Sequence, residues 1–206
     1  MPNESAGLSP SREWKQANRK QVWFPGETLI SGIGQGFNQT TPIQLARATA
    51  TLAMRGMMVT PQVVRATRPA GAENLQLRSN DNMHSLPMTD SHNWEVVIDA
   101  MVDVVHGARG SARHIGEGLP IKIAGKTGTA QVFGIAQDEK YDAETLERKL
   151  HDHALFTAFA PADKPEIVVA VVVENGGSGS RVAAPIARQL IVDYFGLETD
   201  EPQPDN

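Results

Sequence analysis

Lys126-Thr127-Gly128-Thr129 is the segment whose residue types and spacing best suit binding chemistry. In an extended strand over 121–132, side chains alternate between faces, so Thr127 and Thr129 present two hydroxyls on one face. Gly128 between them leaves room for a ligand backbone to approach the strand. Lys126 points the other way, but its long stem brings a cation to the edge of a pocket. Such a strand edge holds a peptide by adding it as a further strand and receives its terminal carboxylate. An ordinary edge strand with a solvated lysine fits these four residues equally well, and they leave the two readings open.

Other short motifs carry less. Gly125-Lys126-Thr127 imitates the end of a phosphate-binding P-loop, but that motif needs a glycine at position 120, which is Pro120. The residues before Gly125 are Ile121-Lys122-Ile123-Ala124, a strand rather than a cradle of free N–H groups, and no long helix follows. A nucleotide binder is therefore the disfavoured alternative. Gly32-x-Gly34-x-Gly36 lacks dinucleotide-binding spacing, because Phe37 stands where the third glycine belongs; it reads as a tight turn before a capped helix. His151-Asp152-His153 offers two imidazoles on one face of a strand entrance, with no third or fourth zinc ligand nearby. These residues read as a polar helix-to-strand junction, and His84, His92, His106 and His114 as solvated side chains in loops or at helix ends.

The elements that position the segment follow from periodicity. Residues 1–28 are polar and aperiodic and read as loop. Thr41-Pro42-Ile43-Gln44 is a capping box opening a helix whose apolar face is Leu45, Ala48, Leu52 and Ala53 and whose stop is Gly56. A second helix runs from about Ser91, its N-cap, to His106, with Trp94, Val97, Ile98, Met101, Val102 and Val105 as its stripe. Residues 142–152 suit a short exposed helix with Glu144 and Arg148 paired. ALFTAFAP and EIVVAVVVEN, joined by Ala162-Asp163-Lys164-Pro165, read as a hairpin. The second strand is apolar on both sides and suits the interior of a covered sheet. RVAAPIARQLIVDYFG closes the chain as a helix, and 198–206 is an acidic tail expected to be disordered.

At 206 residues the chain suits one or two domains with a real core. A net charge of −5 without a long basic run argues against non-specific nucleic-acid binding. The absence of Cys excludes a disulfide scaffold and thiolate chemistry. No stretch approaches the ~18 apolar residues of a membrane span.

Lys-Thr-Gly-Thr followed by Ala-Gln-Val resembles the third signature of the penicillin-recognising active-site serine enzymes. SREWK, GIGQGFNQTTPIQLARATATLA, GKTGTAQVFG, DHALFTAFAP and VVVENGGSGS, in this order, resemble the C-terminal half of a class B transpeptidase domain of the elongation-specific penicillin-binding protein 2 type. The similarity extends from about Pro10 to Leu197. It implies a peptidoglycan D,D-transpeptidase acting through an acyl-enzyme on serine, with no cofactor or metal. Lys126 would supply positive potential around the nucleophile. Thr127 and Thr129 would bind the carboxylate of a D-Ala-D-Ala stem peptide or a β-lactam, and the Thr129 N–H would be one oxyanion donor. The catalytic assignments are thus Lys126 and Thr129, and the substrate-binding ones Lys126, Thr127, Gly128 and Thr129.

The departures matter as much. No serine is followed three residues later by lysine, so the nucleophile motif Ser-x-x-Lys is missing; Ser11 comes nearest, with Lys15 four residues on. Ser-x-Asn occurs once, as Ser91-His92-Asn93, on the wrong side of the GIGQG segment for the family's second motif. The expectation is an α/β chain of α+β type: an incomplete penicillin-binding transpeptidase fold with three antiparallel strands flanked by helices. Residues 1–197 would form the C-terminal part of the domain, without acylation activity of their own. The missing N-terminal half would be its partner, and the parent protein would stand on the periplasmic face of the bacterial inner membrane. The alternative is a non-catalytic module holding D-Ala-terminated peptide on the same strand edge.

Overall fold

The computed structural model describes residues 4–78, 83–87, 90–132 and 150–197. The segment 1–28 expected as loop holds a short helix, α1 (Arg12–Arg19), and the first half of a second, α2 (Pro25–Gly32). α1 is polar almost throughout and α2 leaves Leu29 and Ile30 exposed, so no buried apolar stripe marks either, and their termini and mutual contacts hold them. The Ser11 hydroxyl accepts from Trp14 N at 3.1 Å, and Lys20 ends α1 in the left-handed region at φ 57°. Pro25 opens α2, and the Glu27 carboxylate turns back to accept from Phe24 N at 2.7 Å. Lys15, with 2% of its side chain exposed, donates to both Glu27 oxygens at 2.5 and 2.7 Å and lies 4.5 Å from the Phe24 ring centre. The Lys15 ammonium and the Phe24 N–H hold the Glu27 carboxyl below the usual range.

α3 (Pro42–Ala53) begins with the expected capping box: Thr41 Oγ1 accepts from Gln44 N at 3.3 Å, and Gln44 Oε1 accepts from Thr41 N at 2.9 Å. Its buried face differs from the expected one. Ala48 is exposed, whereas Thr49 and Thr51 are buried. Both hydroxyls donate to carbonyls four residues back, at 2.9 Å, so burial leaves no polar atom unpaired. Gly56 lies two residues beyond the helix's C-cap, at φ 92°, and a Cβ there would sit 2.8 Å from the Trp94 ring.

Between α3 and the next helix lie two small antiparallel pairs. β1 (Met57–Met58) pairs with β4 (His84–Ser85), and β2 (Ala66–Thr67) with β3 (Gln76–Leu77). α4 (His92–His106) then stops at Gly107 as expected. Ser91 does not cap it. Ser91 already has helical dihedrals, and Asp90 Oδ1 instead accepts from His92 N at 2.9 Å. Ile98, Met101 and Val105 are its buried stripe, and Val97 is exposed.

The main sheet has the order β5 (Ala124–Ala130), β6 (His153–Ala160), β7 (Ile167–Val173), all antiparallel. Alternation along β6 divides the core. Ala154, Phe156, Ala158 and Ala160 pack with Ala184, Ala187 and Ile191 of α5 (Ala184–Phe195). Phe159 packs with Ala53, Ile98 and Met101 from α3 and α4 on the other face, where Thr157 Oγ1 meets Thr49 Oγ1 at 2.6 Å. Phe156 and Phe159 are fully buried, each stabilising by about 1.5–3 kcal/mol relative to exposure. β7 has α3 and α5 on its faces, yet among the described residues no strand pairs with its outer edge. Its run of Ile and Val is thus covered on both faces, as expected, with one edge left unpaired among the described residues.

The hairpin loop contains a cis Ala160–Pro161 peptide. α5 is entered through a wide π turn over Gly179–Ala183, which the sequence period does not distinguish from the helix itself. Most of the helix expected over 142–152, and the tail 198–206, lie outside the described residues.

Candidate functional site: the outer edge of β5

α4 places β5. Gly125 is required where the two elements touch, because a Cβ there would lie 2.5 Å from Phe156 Cζ and 3.2 Å from Val105 Cγ2. At the entry to the strand, Ile123 N donates to His106 Nε2 at 2.9 Å. His106 is therefore a neutral structural acceptor rather than the solvated side chain its helix-end position suggests. Burial first, and the Lys122 charge second, hold this imidazole below the ordinary histidine value.

That shift has a pH consequence of definite sign. The folded protein binds this proton less readily than the unfolded chain does. The His106 contribution is complete above the unfolded value of ~6.5 and is lost as pH falls through the lower folded value. In the complete protein, the urea midpoint should drop more between about pH 8 and about pH 5 in wild type than in His106→Gln, which keeps an acceptor but no titration. Parallel pH dependence in the two proteins would remove His106 from this role.

Register then sets the faces of the signature. Thr127 lies opposite Phe156 and Thr129 opposite Ala154, so both threonines share one face; Lys126 lies opposite Thr157 on the other. Lys126 is exposed and makes no ion pair among the described residues. Its ammonium donates to the carbonyl of Thr127 at 2.5 Å, and Gln35 Nε2 donates to the carbonyl of Thr129 at 2.6 Å. Alternate residues of an antiparallel strand direct both N–H and C=O to the same side. Two side-chain donors on Thr127 and Thr129 thus mark these residues as the outward-facing pair. No strand covers that side among the described residues.

At Gly128 the sheet itself is also short of room. A Cβ there would lie 3.1 Å from Leu155 Cβ on the β6 neighbour, so the missing side chain relieves the sheet's own packing. A close backbone approach also comes from within the protein, at Gly179. A Cβ on Gly179 would fall inside 3.0 Å of the carbonyl oxygens of both Gly128 and Leu155. The turn before α5 is therefore seated on the β5–β6 ladder.

Two further contacts fix the threonine face. Ser111 Oγ lies 3.3 Å from Thr127 Oγ1, and Ser180 Oγ donates to the Ser111 carbonyl. Two concavities border the residues that touch the strand, Gln35 and Ser111. One of about 220 Å³ is lined by Pro10, Trp23, Ile30, Gln35 and Phe37, and one of about 500 Å³ by Asp103, Val104, Arg109 and Ser111.

The arrangement offers a peptide an open strand edge, two hydroxyls and an exposed cation. Gln35, Ser111, Ser180 and Gly179 are the residues that sequence reasoning missed. Gln35 stood inside GIGQG, where only the glycines carried a signal, and the other three sat in glycine-rich loops without periodicity. Of the other candidate groups, His153 Nδ1 accepts from Asn175 N at 2.9 Å and serves the loop after β7. Gly125-Lys126-Thr127 lies inside a paired strand rather than a phosphate cradle.

Comparison with known proteins identifies the family. Residues 1–192 match the family described as the penicillin binding protein transpeptidase domain. A peptidoglycan D,D-transpeptidase MrdA of Acinetobacter baumannii is 46% identical over 190 residues, covering 90% of this chain and 27% of that protein. The MrdA of Haemophilus influenzae is 41% identical over 198 residues, covering 95% and 30%. The crystal structure of Pseudomonas aeruginosa PBP2 in complex with WCK 5153 superposes with a TM-score of 0.74 at 45% identity, covering 97% of this chain and 40% of that one. The chain thus spans about three tenths of the length of the curated relatives it matches.

Proposed function

The chain belongs to the penicillin-binding-protein transpeptidase domain family, and from that premise we propose that it forms the substrate-binding wall of an elongation-type peptidoglycan D,D-transpeptidase. The observation that carries this reading is the outer edge of β5, where the Lys-Thr-Gly-Thr signature presents its outward backbone groups with no strand across from them among the described residues. The nucleophilic serine comes from outside these 206 residues, since no Ser-x-x-Lys occurs among them.

The chemistry assigned to the chain follows. A stem peptide ending in D-Ala-D-Ala lies along the edge as an added strand. The hydroxyls of Thr127 and Thr129 bind its terminal carboxylate by charge-assisted hydrogen bonds. Lys126, charged and without a carboxylate partner among the described residues, swings from its own strand's carbonyl to the reacting centre. As the serine oxygen adds to the penultimate carbonyl, negative charge develops on that carbonyl's oxygen. The outward N–H of Thr129 is one of the donors that receive it. Collapse expels D-Ala and leaves the acyl-enzyme, which an acceptor amine resolves to the cross-link. A β-lactam enters the same path and stays on the serine. The protein works on the periplasmic face of the inner membrane, where this substrate is found.

Labelled penicillin tests the proposal. The complete protein is expected to be marked covalently and the 206-residue chain left unmarked. Labelling of the short chain would defeat the assignment of the nucleophile to another segment. A complete protein that binds D-Ala-terminated peptide without ever acylating would instead support a binding module.

A further inference from the structure

The outer edge of β5 is open to a strand but not bare. A peptide adding there must donate amide N–H groups to the carbonyls of Thr127 and Thr129, and both are occupied. Lys126 covers the first from the adjacent position and can turn away on its own flexible stem. Gln35 covers the second from a distant and constructed place. It sits between Gly34 and Gly36, at φ 77° and 74°, a turn that only glycine adopts without strain. Asn38 Nδ2 donates to the Gln35 carbonyl at 2.9 Å and to the Ser31 carbonyl and hydroxyl at 3.3 and 3.2 Å, tying the turn to the end of α2. Nothing else in the fold uses the Gln35 carboxamide nitrogen among the described residues, which leaves the strand edge as its one target.

We propose that Gln35 is a specificity-determining latch on the substrate edge: its carboxamide stands in for the first amide of the incoming peptide and must leave Thr129 for that peptide to add. This rests on the reading of β5 as the substrate-binding wall. A ligand bringing an amide N–H to this rung trades one neutral hydrogen bond for another and displaces Gln35. A ligand without that N–H leaves the latch closed and reacts beside it. Gln35 therefore slows the first class and not the second, and removing its donor shifts the ratio of the two rates.

The test uses the complete protein with two acylating probes: a penicillin, whose side chain carries an amide N–H, and a carbapenem, whose hydroxyethyl side chain carries none. Second-order acylation constants are measured for wild type, Gln35→Ala and Gln35→Met; the last keeps the length of the side chain without a donor. The expected result is a penicillin constant raised about 2- to 10-fold in both variants, the range of one neutral hydrogen bond, with the carbapenem constant unchanged. An unchanged ratio, including constants that fall or rise together, would overturn the latch while leaving the wall intact. If neither probe acylated wild type, the transpeptidase reading would fail first and carry the latch with it. Gln35 is half-exposed and its backbone partners are untouched by either substitution, so folding does not confound the comparison.

Discussion

Replacing Lys126 by alanine in the complete protein is expected to lower the penicillin acylation constant about 100- to 1,000-fold, the loss that follows removal of one preorganised group facing developing charge. The same substitution should leave the unfolding midpoint almost where it was, within the ~0.5 kcal/mol typical of surface positions. This separation follows from the geometry. Lys126 is exposed, lies on the face of β5 opposite the threonines, and among the described residues its ammonium hydrogen-bonds only its own neighbour's carbonyl. The sheet holds the strand in place through the Gly125–Phe156 contact and the β6 ladder, neither of which involves the ammonium. Lys126→Met is the sharper variant, because it keeps most of the aliphatic stem and removes only the charge. Acylation within a few-fold of wild type in both variants would strip Lys126 of its role. A parallel loss of stability would recast it as a structural residue.

Legibility from the sequence divided by the range of the interactions involved. The start of α3 was readable because Thr41, Pro42 and Gln44 satisfy their own helix end within four residues. The β6–β7 hairpin was readable from two apolar runs around a short polar loop, and the alternation of Thr127 and Thr129 from the pleat alone. α1 and α2 were hidden because their stability lies in a cap and in the Lys15–Glu27 pair rather than in an apolar stripe. A buried lysine in a polar octamer has no local signature. Ala48 and Thr49 exchanged roles for a similar reason: the partner of Thr49 is Thr157, on a strand 108 positions away.

The site shows the same division. The residues that carry the chemistry are contiguous, and their types announced them. Those that surround them come from three remote loops: Gln35 ahead of α3, Ser111 after α4, and Gly179 with Ser180 ahead of α5. Gln35, Ser111 and Gly179 meet backbone atoms or a hydroxyl of β5, and Ser180 meets the Ser111 carbonyl, contacts that any sequence can make and none advertises. The wall of the site is therefore a strand whose threonine face, ladder and outer edge each meet a different remote segment. Its function is exposed to substitutions far from the signature.

Gly179 is the most consequential of those positions. Gly179→Ala places a methyl against the carbonyl oxygens of Gly128 and Leu155 and 3.1 Å from Gly128 N. Those are paired backbone atoms of two strands, and no side-chain rotation relieves the clash. Either the turn lifts away, taking Ser180 from the Ser111 carbonyl, or β5 shifts and its threonine face moves with it. Overpacking of this kind costs about 1–3 kcal/mol. A displacement of even an ångström at a positioning strand lowers reaction rates about 100-fold. Gly177→Ala, two residues earlier, separates space from backbone strain. At φ 73° it penalises any side chain, but no atom lies within 4 Å of its would-be Cβ. The expected pattern in the complete protein is a modest loss of stability of ~1 kcal/mol in Gly177→Ala with normal penicillin acylation. Gly179→Ala should lose both stability and, at temperatures where it remains folded, most of its acylation rate. Equal acylation in the two variants would mean that the turn before α5 does not hold the substrate strand.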